Sequence, residues 1–452
     1  MSQTVAQKFP PQIKYIVGNE GAERYSFYGM RSILVVFMVQ YLLFQESDSI
    51  SVFHLFVSAC YFTPLLGAFI ADRLWGKYKT ILYLSLFYCL GHAILAIWEN
   101  KTGMYWGLFF IALGAGGIKP CVSAHVGDQF VKGQEGMLRK VFDIFYWMIN
   151  FGSTFSTIIT PYMLHKYGPG WAFGVPGILM AIATWIFWLG RKQYVHVPPT
   201  KDDHTSGKML WSAICNFTKR DKSKGLLGGA YLKHPADKIE ELKGVGQVAR
   251  VYIGIILFWA LFDQHASTWI LQAEQMDLNF LGIQLLASQI QTLNPILVMC
   301  MIPLFALVIY PMVEKVTGKP FTPLKKMGTG MFLAAASFVP AAIIQYRLDA
   351  GVQMSVGWQF FQYFLITASE LMVSIVGLEF SYTQAPRSMK STMMSIFFLT
   401  IVAGNFLTSI IAKINVFQGG HFYSFFALLT LAFAFLFLWL ASSYKERNYM
   451  EV

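Results

Sequence analysis

Apolar stretches long enough to cross a bilayer recur from one end of this chain to the other, and that recurrence excludes nearly every other architecture. In hydrocarbon each backbone N–H and C=O must be satisfied within the chain, so only helices and closed barrels span it. Helical spans need about 20 apolar residues, whereas barrel strands alternate over about 10. Twelve runs of the helical kind fall at 14–43, 50–72, 79–98, 103–127, 138–164, 171–190, 249–272, 284–313, 325–346, 354–383, 390–414 and 420–443. The reading is an all-α polytopic membrane protein with 12 transmembrane helices. The chain is 55% hydrophobic and only 13% charged, where a soluble protein carries about 25% charge. Its 40 Phe, 22 Tyr and 12 Trp suit lipid-facing surfaces and interfacial belts.

The net charge of +11 has a topological origin. Lys and Arg cluster on alternate connections: Lys8 and Lys14, Arg73 with Lys77 and Lys79, Lys132 with Arg139 and Lys140, Lys315 to Lys326, Arg387 and Lys390, then Lys445 and Arg447. The intervening connections are poorer, with Glu46 and Asp48, Glu99 and Lys101, Glu274 and Asp277, Arg347 and Asp349. The positive-inside rule then places both termini in the cytoplasm, and no nucleic-acid partner is needed to explain the charge. One long polar stretch separates six runs from six. The expected organisation is an N-terminal six-helix bundle over 1–190, a cytoplasmic linker over 191–248 (with a short helix allowed near 235–243) and a C-terminal bundle over 249–452. A faint repeat supports two related halves. Asp72 to Lys77 closes the second run and Glu314 to Lys319 closes the eighth, each with an acid followed by Gly at +4 and Lys at +5. Duplicated halves suit a rocking transporter with its site between them near the midplane. The five cysteines form no CxxC or Cys/His cluster, so neither a disulfide framework nor a metal site is expected. No cleaved leader is expected either.

Charged groups inside apolar runs mark where function lies, because they persist in a membrane only when paired or lining a wet path. Glu20, Glu23 and Arg24 fall at i, i+3 and i+4, one helical face, which Tyr28 and Arg31 prolong. The competing reading, a short helix in water, conflicts with the apolar sequence on both sides. Lys119 follows Gly114-Ala-Gly-Gly-Ile and precedes Pro120, too deep to snorkel, and needs an anionic partner. Glu370 lies mid-run, with Lys119, Arg24 or a substrate amine as candidate partners. His54 sits near the outer end of the second run, and its ordinary pKa of about 6.5 suits a proton-coupled group, although a lone His also serves as packing. His92, His125 and His265 are weaker candidates. Asp263 would meet Arg31 in an outer gate if the seventh run faces the first. Asn150 and Asn294 donate and accept at once, which suits a peptide bond or merely a helix–helix contact. Tyr28, Tyr61, Tyr146 and Trp259 would shape an apolar pocket. No GxSxG, P-loop or HExxH occurs, so the chain is not read as an enzyme. With no nucleotide site, the energy source is an ion gradient, and the intramembrane carboxylates point to protons rather than a cofactor.

Glu20-Gly-Ala-Glu-Arg-Tyr-Ser-Phe-Tyr-Gly resembles the ExxERFxYYG motif of proton-dependent oligopeptide transporters, a branch of the major facilitator superfamily. Gly67-Ala-Phe-Ile-Ala-Asp-Arg-Leu-Trp-Gly-Lys-Tyr-Lys-Thr-Ile is similar to that family's second-helix signature, and Phe145-Tyr-Trp-Met-Ile-Asn-Phe-Gly-Ser to its FYxxINxGS motif. Gly377-Leu-Glu-Phe-Ser-Tyr-Thr-Gln-Ala-Pro resembles its tenth helix and Phe258-Trp-Ala-Leu-Phe-Asp-Gln-His-Ala-Ser its seventh. The resemblance implies a major facilitator fold and proton-coupled import of di- and tripeptides across the cell (inner) membrane by a functional monomer. It implies that Arg24 and Lys119 hold the peptide carboxylate, that Glu370 with Asn294 holds the amine, and that Asn150 and Tyr28 contact the backbone or carboxylate. Glu20, Glu23 and His54 would carry or relay protons, and Trp259 would line a side-chain pocket. Tyr25 and Phe27 replace the motif's usual Phe and Tyr. The linker is not apolar enough for the two extra helices of many bacterial members, and 347–353 is a short loop where animal members carry a large extracellular domain. Ala306 stands where animal members place an Asp. A different proton-coupled solute, such as nitrate, or a peptide sensor on the same fold are the rival readings; nitrate would leave Glu370 without an amine to bind.

Overall fold

The structure, a computed structural model, describes residues 9–130, 135–199, 206–218, 220–386 and 389–444. Lys8, Lys132, Arg387, Lys445 and Arg447, used above to orient the chain, lie outside the described residues. The first half comprises α1 Ile13–Val36, prolonged by a π turn Phe37–Tyr41, α2 Glu46–Trp75, α3 Lys77–Ile97, α4 Lys101–Gly127, α5 Glu135–Tyr167 and α6 Pro169–Lys192. A short helix α7, Ser206–Cys215, and a 3-10 segment, Lys222–Leu232, occupy the linker. The second half comprises α8 Ala236–Glu274, α9 Ala287–Thr317, α10 Pro323–Asp349, α11 Val356–Thr383, α12 Lys390–Ile414 and α13 Gly419–Ser442. Of the described helices, ten are long and apolar enough to cross a membrane. Besides the short α7, the two outside that set are α1 and α5, which carry the ionisable groups of the first motif and a charged first turn.

Local chemistry explains most boundaries. Pro169 and Pro323 open helices where a missing N–H costs nothing. The Asn100 side chain caps α4 by accepting from Gly103 N at 2.8 Å. The two repeat glycines both end helices with positive φ, +76° at Gly76 and +63° at Gly318, a conformation that glycine adopts without a Cβ penalty. The echo between the halves is therefore a shared helix stop. The seventh run departs from expectation. Its helix begins at Ala236, thirteen residues before 249, because residues 236–250 form a charged amphipathic extension. Lys238–Glu241 and Lys243–Glu240 pairs, at 3.1 and 2.8 Å, lace its surface.

Within the first half α3 packs on α4 and α6, α1 on α5 and α6, and α2 on α4; within the second, α10 packs on α11 and α13, and α8 on α12 and α13. The α2–α4 contact is unusually close: a Cβ at Gly67 would collide with the carbonyl oxygen of Gly116. The halves meet through α2 with α12, α5 with α9 and α1 with α8. Among the described residues, the side-chain hydrogen bonds between halves all fall toward one end. They join Gln40 to Glu274, Asp48 to Lys413, Ser51 to Ser409, Thr157 to Thr292, Gln291 to the Ser32 carbonyl, Gln289 to the Ile158 carbonyl and Ser58 to the Val402 carbonyl, together with Arg31 to Asp263 and His54 to both Asn405 and Ser267. At the end holding the starts of α1 and α8, no such bond joins the halves among the described residues.

Candidate functional site

The interior faces of α1, α4, α9 and α11 bring together the ionisable groups that composition makes rare. On α1, Glu20, Glu23 and Arg24 form one cluster. Arg24 Nε donates to Glu20 Oε1 at 2.8 Å and lies 2.8 Å from Glu23 Oε2. The second contact is a charge contact without hydrogen-bond geometry, and both Glu23 oxygens, fully buried, make no hydrogen bond. One arginine thus serves two carboxylates.

Lys119 completes this side. Its ammonium makes no hydrogen bond. It lies 4.0 Å from the Phe27 ring centroid and 4.4 Å from that of Tyr61. Two aromatic faces soften the cost of burying the cation but leave its N–H groups unfilled. The small residues before it let α4 approach α2 and α3 closely, which carries the lysine into the interior. Tyr28 is within electrostatic reach of Arg24, Arg31 and Glu23 on its own side and of Glu370 on the other. Across the interface, Asn294 Nδ2 on α9 donates to Glu370 Oε2 at 2.8 Å and also approaches Thr367 Oγ1 at 3.1 Å. Glu370 immediately precedes a π turn, Leu371–Ile375, a departure from α geometry frequent at functional sites. Trp259 is buried against Phe397 and Phe262 with its indole N–H unpartnered. Tyr61 packs on Phe398 of the opposite half. Asn150 is buried on α5 and is not a free group. The side chain of Tyr146 lies outside the described residues.

A second polar cluster sits above this one, toward the end where bonds join the halves. Arg31 and Asp263 form a buried ion pair between α1 and α8. Asn405 Nδ2 donates to Asp263 Oδ2 at 2.7 Å, and Asn405 Oδ1 lies 2.8 Å from His54 Nδ1. His54 Nε2 is 2.9 Å from Ser267 Oγ. His54 is therefore joined to the ion pair through Asn405, which sequence reading did not single out. An amide in an apolar helix carries no signal of its own, and its partners lie 142 and 351 positions away. Asp263 opens a 3-10 turn, Asp263–Ala266, that interrupts α8. His92 and His125 are buried elsewhere, whereas His265 is buried in the same 3-10 turn as Asp263, with Nδ1 at the Phe262 carbonyl; His92 Nδ1 meets the Phe173 carbonyl at 3.2 Å, as a packing histidine would. Among the described residues no group of His, Cys, Asp or Glu could hold a metal.

Comparison with known proteins gives the family and the overall fold. Residues 78–419 match the POT family. Human solute carrier family 15 member 2 is 41% identical over 394 residues, covering 82% of this chain and 54% of the relative. Human solute carrier family 15 member 1 is 41% identical over 375 residues, covering 75% and 52%. The chain thus spans about half the length of these curated relatives. Among solved structures, the POT family transporter PepTSo superposes with a TM-score of 0.89 at 38% identity, covering 97% of this chain and 99% of that one. An auto-inhibited POT family peptide transporter gives 0.88 at 36% identity, covering 98% of each. With the profile matched across most of its length and the fold shared end to end, this chain belongs to the POT family, a multi-pass membrane transporter family of the major facilitator superfamily.

Proposed function

We propose that this protein imports di- and tripeptides together with protons across the cell membrane, working as a monomer with twelve spanning helices and both termini in the cytoplasm. The observation that carries the reading is a pair of opposite poles inside an apolar protein: an ammonium without a hydrogen-bond partner at Lys119, beside Arg24, in one half, and the Glu370 carboxylate in the other. A zwitterionic peptide has the charges to join them. Its carboxylate fills the vacant donors of Lys119 and competes with Glu20 and Glu23 for Arg24. Its amine replaces Asn294 as the partner of Glu370, while Tyr28 and Asn150 meet the backbone and Trp259 and Tyr61 line the side-chain space. Protonation of Glu20 or Glu23 frees Arg24, and protonation of His54 acts on the Arg31–Asp263 pair through Asn405. A ligand moves the equilibrium between states only through differential affinity, and bridging both halves supplies it. In this reading 1–190 and 249–452 rock as two bundles, joined by 191–248, while Arg31 and Asp263 close the outer gate. The similarity to a structure described as a peptide transporter supports the substrate class; an inorganic anion would leave Glu370 with no amine to bind.

The test is uptake of labelled dialanine into liposomes of pure protein, with and without an inward proton gradient. Accumulation driven by the gradient and lost in Glu370→Gln is the expected result. Absence of uptake by correctly folded and oriented protein would reassign the solute.

A further inference from the structure

The linker carries an apolar face that neither bundle covers. Helix α7 buries Met209 and Ala213 against the rest of the linker and turns Leu210, Trp211 and Ile214 outward, with Phe217 one turn on. Trp211 and Ile214 are each 67% exposed and Leu226, in the following segment, 75%. A stripe of this size facing water is a liability unless something apolar meets it. Beside it runs a trough of about 730 Å³ lined by Leu210, Ile214, Phe217 and Leu226 from the linker and by Ile396 and Leu399 from α12. Leu399 lies nine residues inside α12, so the trough continues the lipid-facing surface of a spanning helix onto the linker. Its walls are mainly apolar, with Lys243, Thr392 and Ser395 the polar side chains among them.

Two cations stand by the trough: Lys243 in its wall, and Arg220 behind Phe217, outside the lining itself. The Arg220 guanidinium lies 3.5 Å from the Phe217 ring centroid, and its Nη1 is buried without a hydrogen-bond partner. Lys243 lines the trough, although Tyr231 and Glu240 already hold its ammonium, at 2.9 and 2.8 Å. An amphipathic segment with an aromatic–aliphatic face and basic residues at its edge lies in a membrane interface. Basic side chains there favour anionic headgroups.

We infer that the trough between the linker and α12 seats one acyl chain of an anionic phospholipid of the cytoplasmic leaflet, with its phosphate on Arg220. The inference rests on the membrane orientation proposed above and is independent of the peptide. The lipid would tie the linker to α12, whose outer end is bonded to α2 through Ser409 and Lys413 neighbours of the closed gate.

The test is native mass spectrometry of the detergent-purified full chain after incubation with phosphatidylglycerol or phosphatidylcholine of the same acyl composition. The wild type is expected to retain phosphatidylglycerol in preference to phosphatidylcholine. Gly246→Trp fills the trough from a position where a Cβ meets no atom within 4 Å, so the fold tolerates it and the adduct is lost. Arg220→Gln keeps an adduct but loses the preference. Equal retention of the two lipids by the wild type, no retained lipid, or an unchanged adduct in Gly246→Trp would overturn the assignment. A failed dialanine uptake would leave these results untouched, so the two readings fail separately.

Discussion

At the scale of single residues, Lys119 is the most exposed to test. A buried ammonium that already had a carboxylate would be structural, and its loss would strand the partner. Lys119 has instead two aromatic rings and empty donors. Lys119→Met keeps the length and the apolar contacts and removes only the charge. The expected outcome is a fall in dialanine uptake on the order of 10- to 100-fold, the worth of one hydrogen bond to a charged group. Thermal unfolding in detergent should be unchanged or shifted upward, since no ion pair is broken. A large drop in melting temperature at retained uptake would make Lys119 structural. The residues of this site were legible in sequence because charge inside an apolar run stands out against its background. Asn405 was not, because its role exists only once α2, α8 and α12 are brought together.

At the scale of elements, the sequence reported where helices run but not how tightly they meet or where they bend. Hydropathy located α9 and α10 closely, yet missed the first turns of α8, which are stabilised by i,i+3 charge pairs in water that an apolar window cannot detect. Neither of the 3-10 turns at Ile253–Ile255 and Asp263–Ala266 that break the same helix contains a proline, and only the first holds a glycine, Gly254. The family-like motif around Gly67 has a packing reason that sequence alone does not disclose. Gly67→Ala would place a methyl group on the Gly116 carbonyl and is expected to destabilise the first half by about 1–3 kcal/mol, the usual cost of overpacking. Gly246→Ala, in an open stretch of α8, should instead be neutral or stabilising by up to about 1 kcal/mol through helix propensity. The pair is read by thermal unfolding of the two variants side by side. Equal melting curves would mean that α2 and α4 separate more easily than their backbones suggest.

At the scale of the whole molecule, the distribution of contacts between halves describes one state of a two-state machine. Bonds linking Gln40, Asp48, Ser51 and Ser58 to the second half gather at one end. The opposite rocking position requires that all of them part, and with them the Arg31–Asp263 pair. Each is modest alone, but moving a population from one state to the other demands several kcal/mol of differential binding. The Ser51 and Ser409 hydroxyls, 3.0 Å apart, allow that requirement to be tested directly, because side chains this close can be bridged with little backbone movement. In a background freed of the five native cysteines, Ser51→Cys with Ser409→Cys is expected to form a disulfide that holds this end shut. Oxidised protein should lose peptide counterflow and recover it on reduction, while still binding peptide in detergent from the open end. Counterflow that persists in protein shown by mass to be fully cross-linked would mean that α2 and α12 do not separate during transport. The opening would then have to be local, within α1 and α8, rather than a rocking of halves.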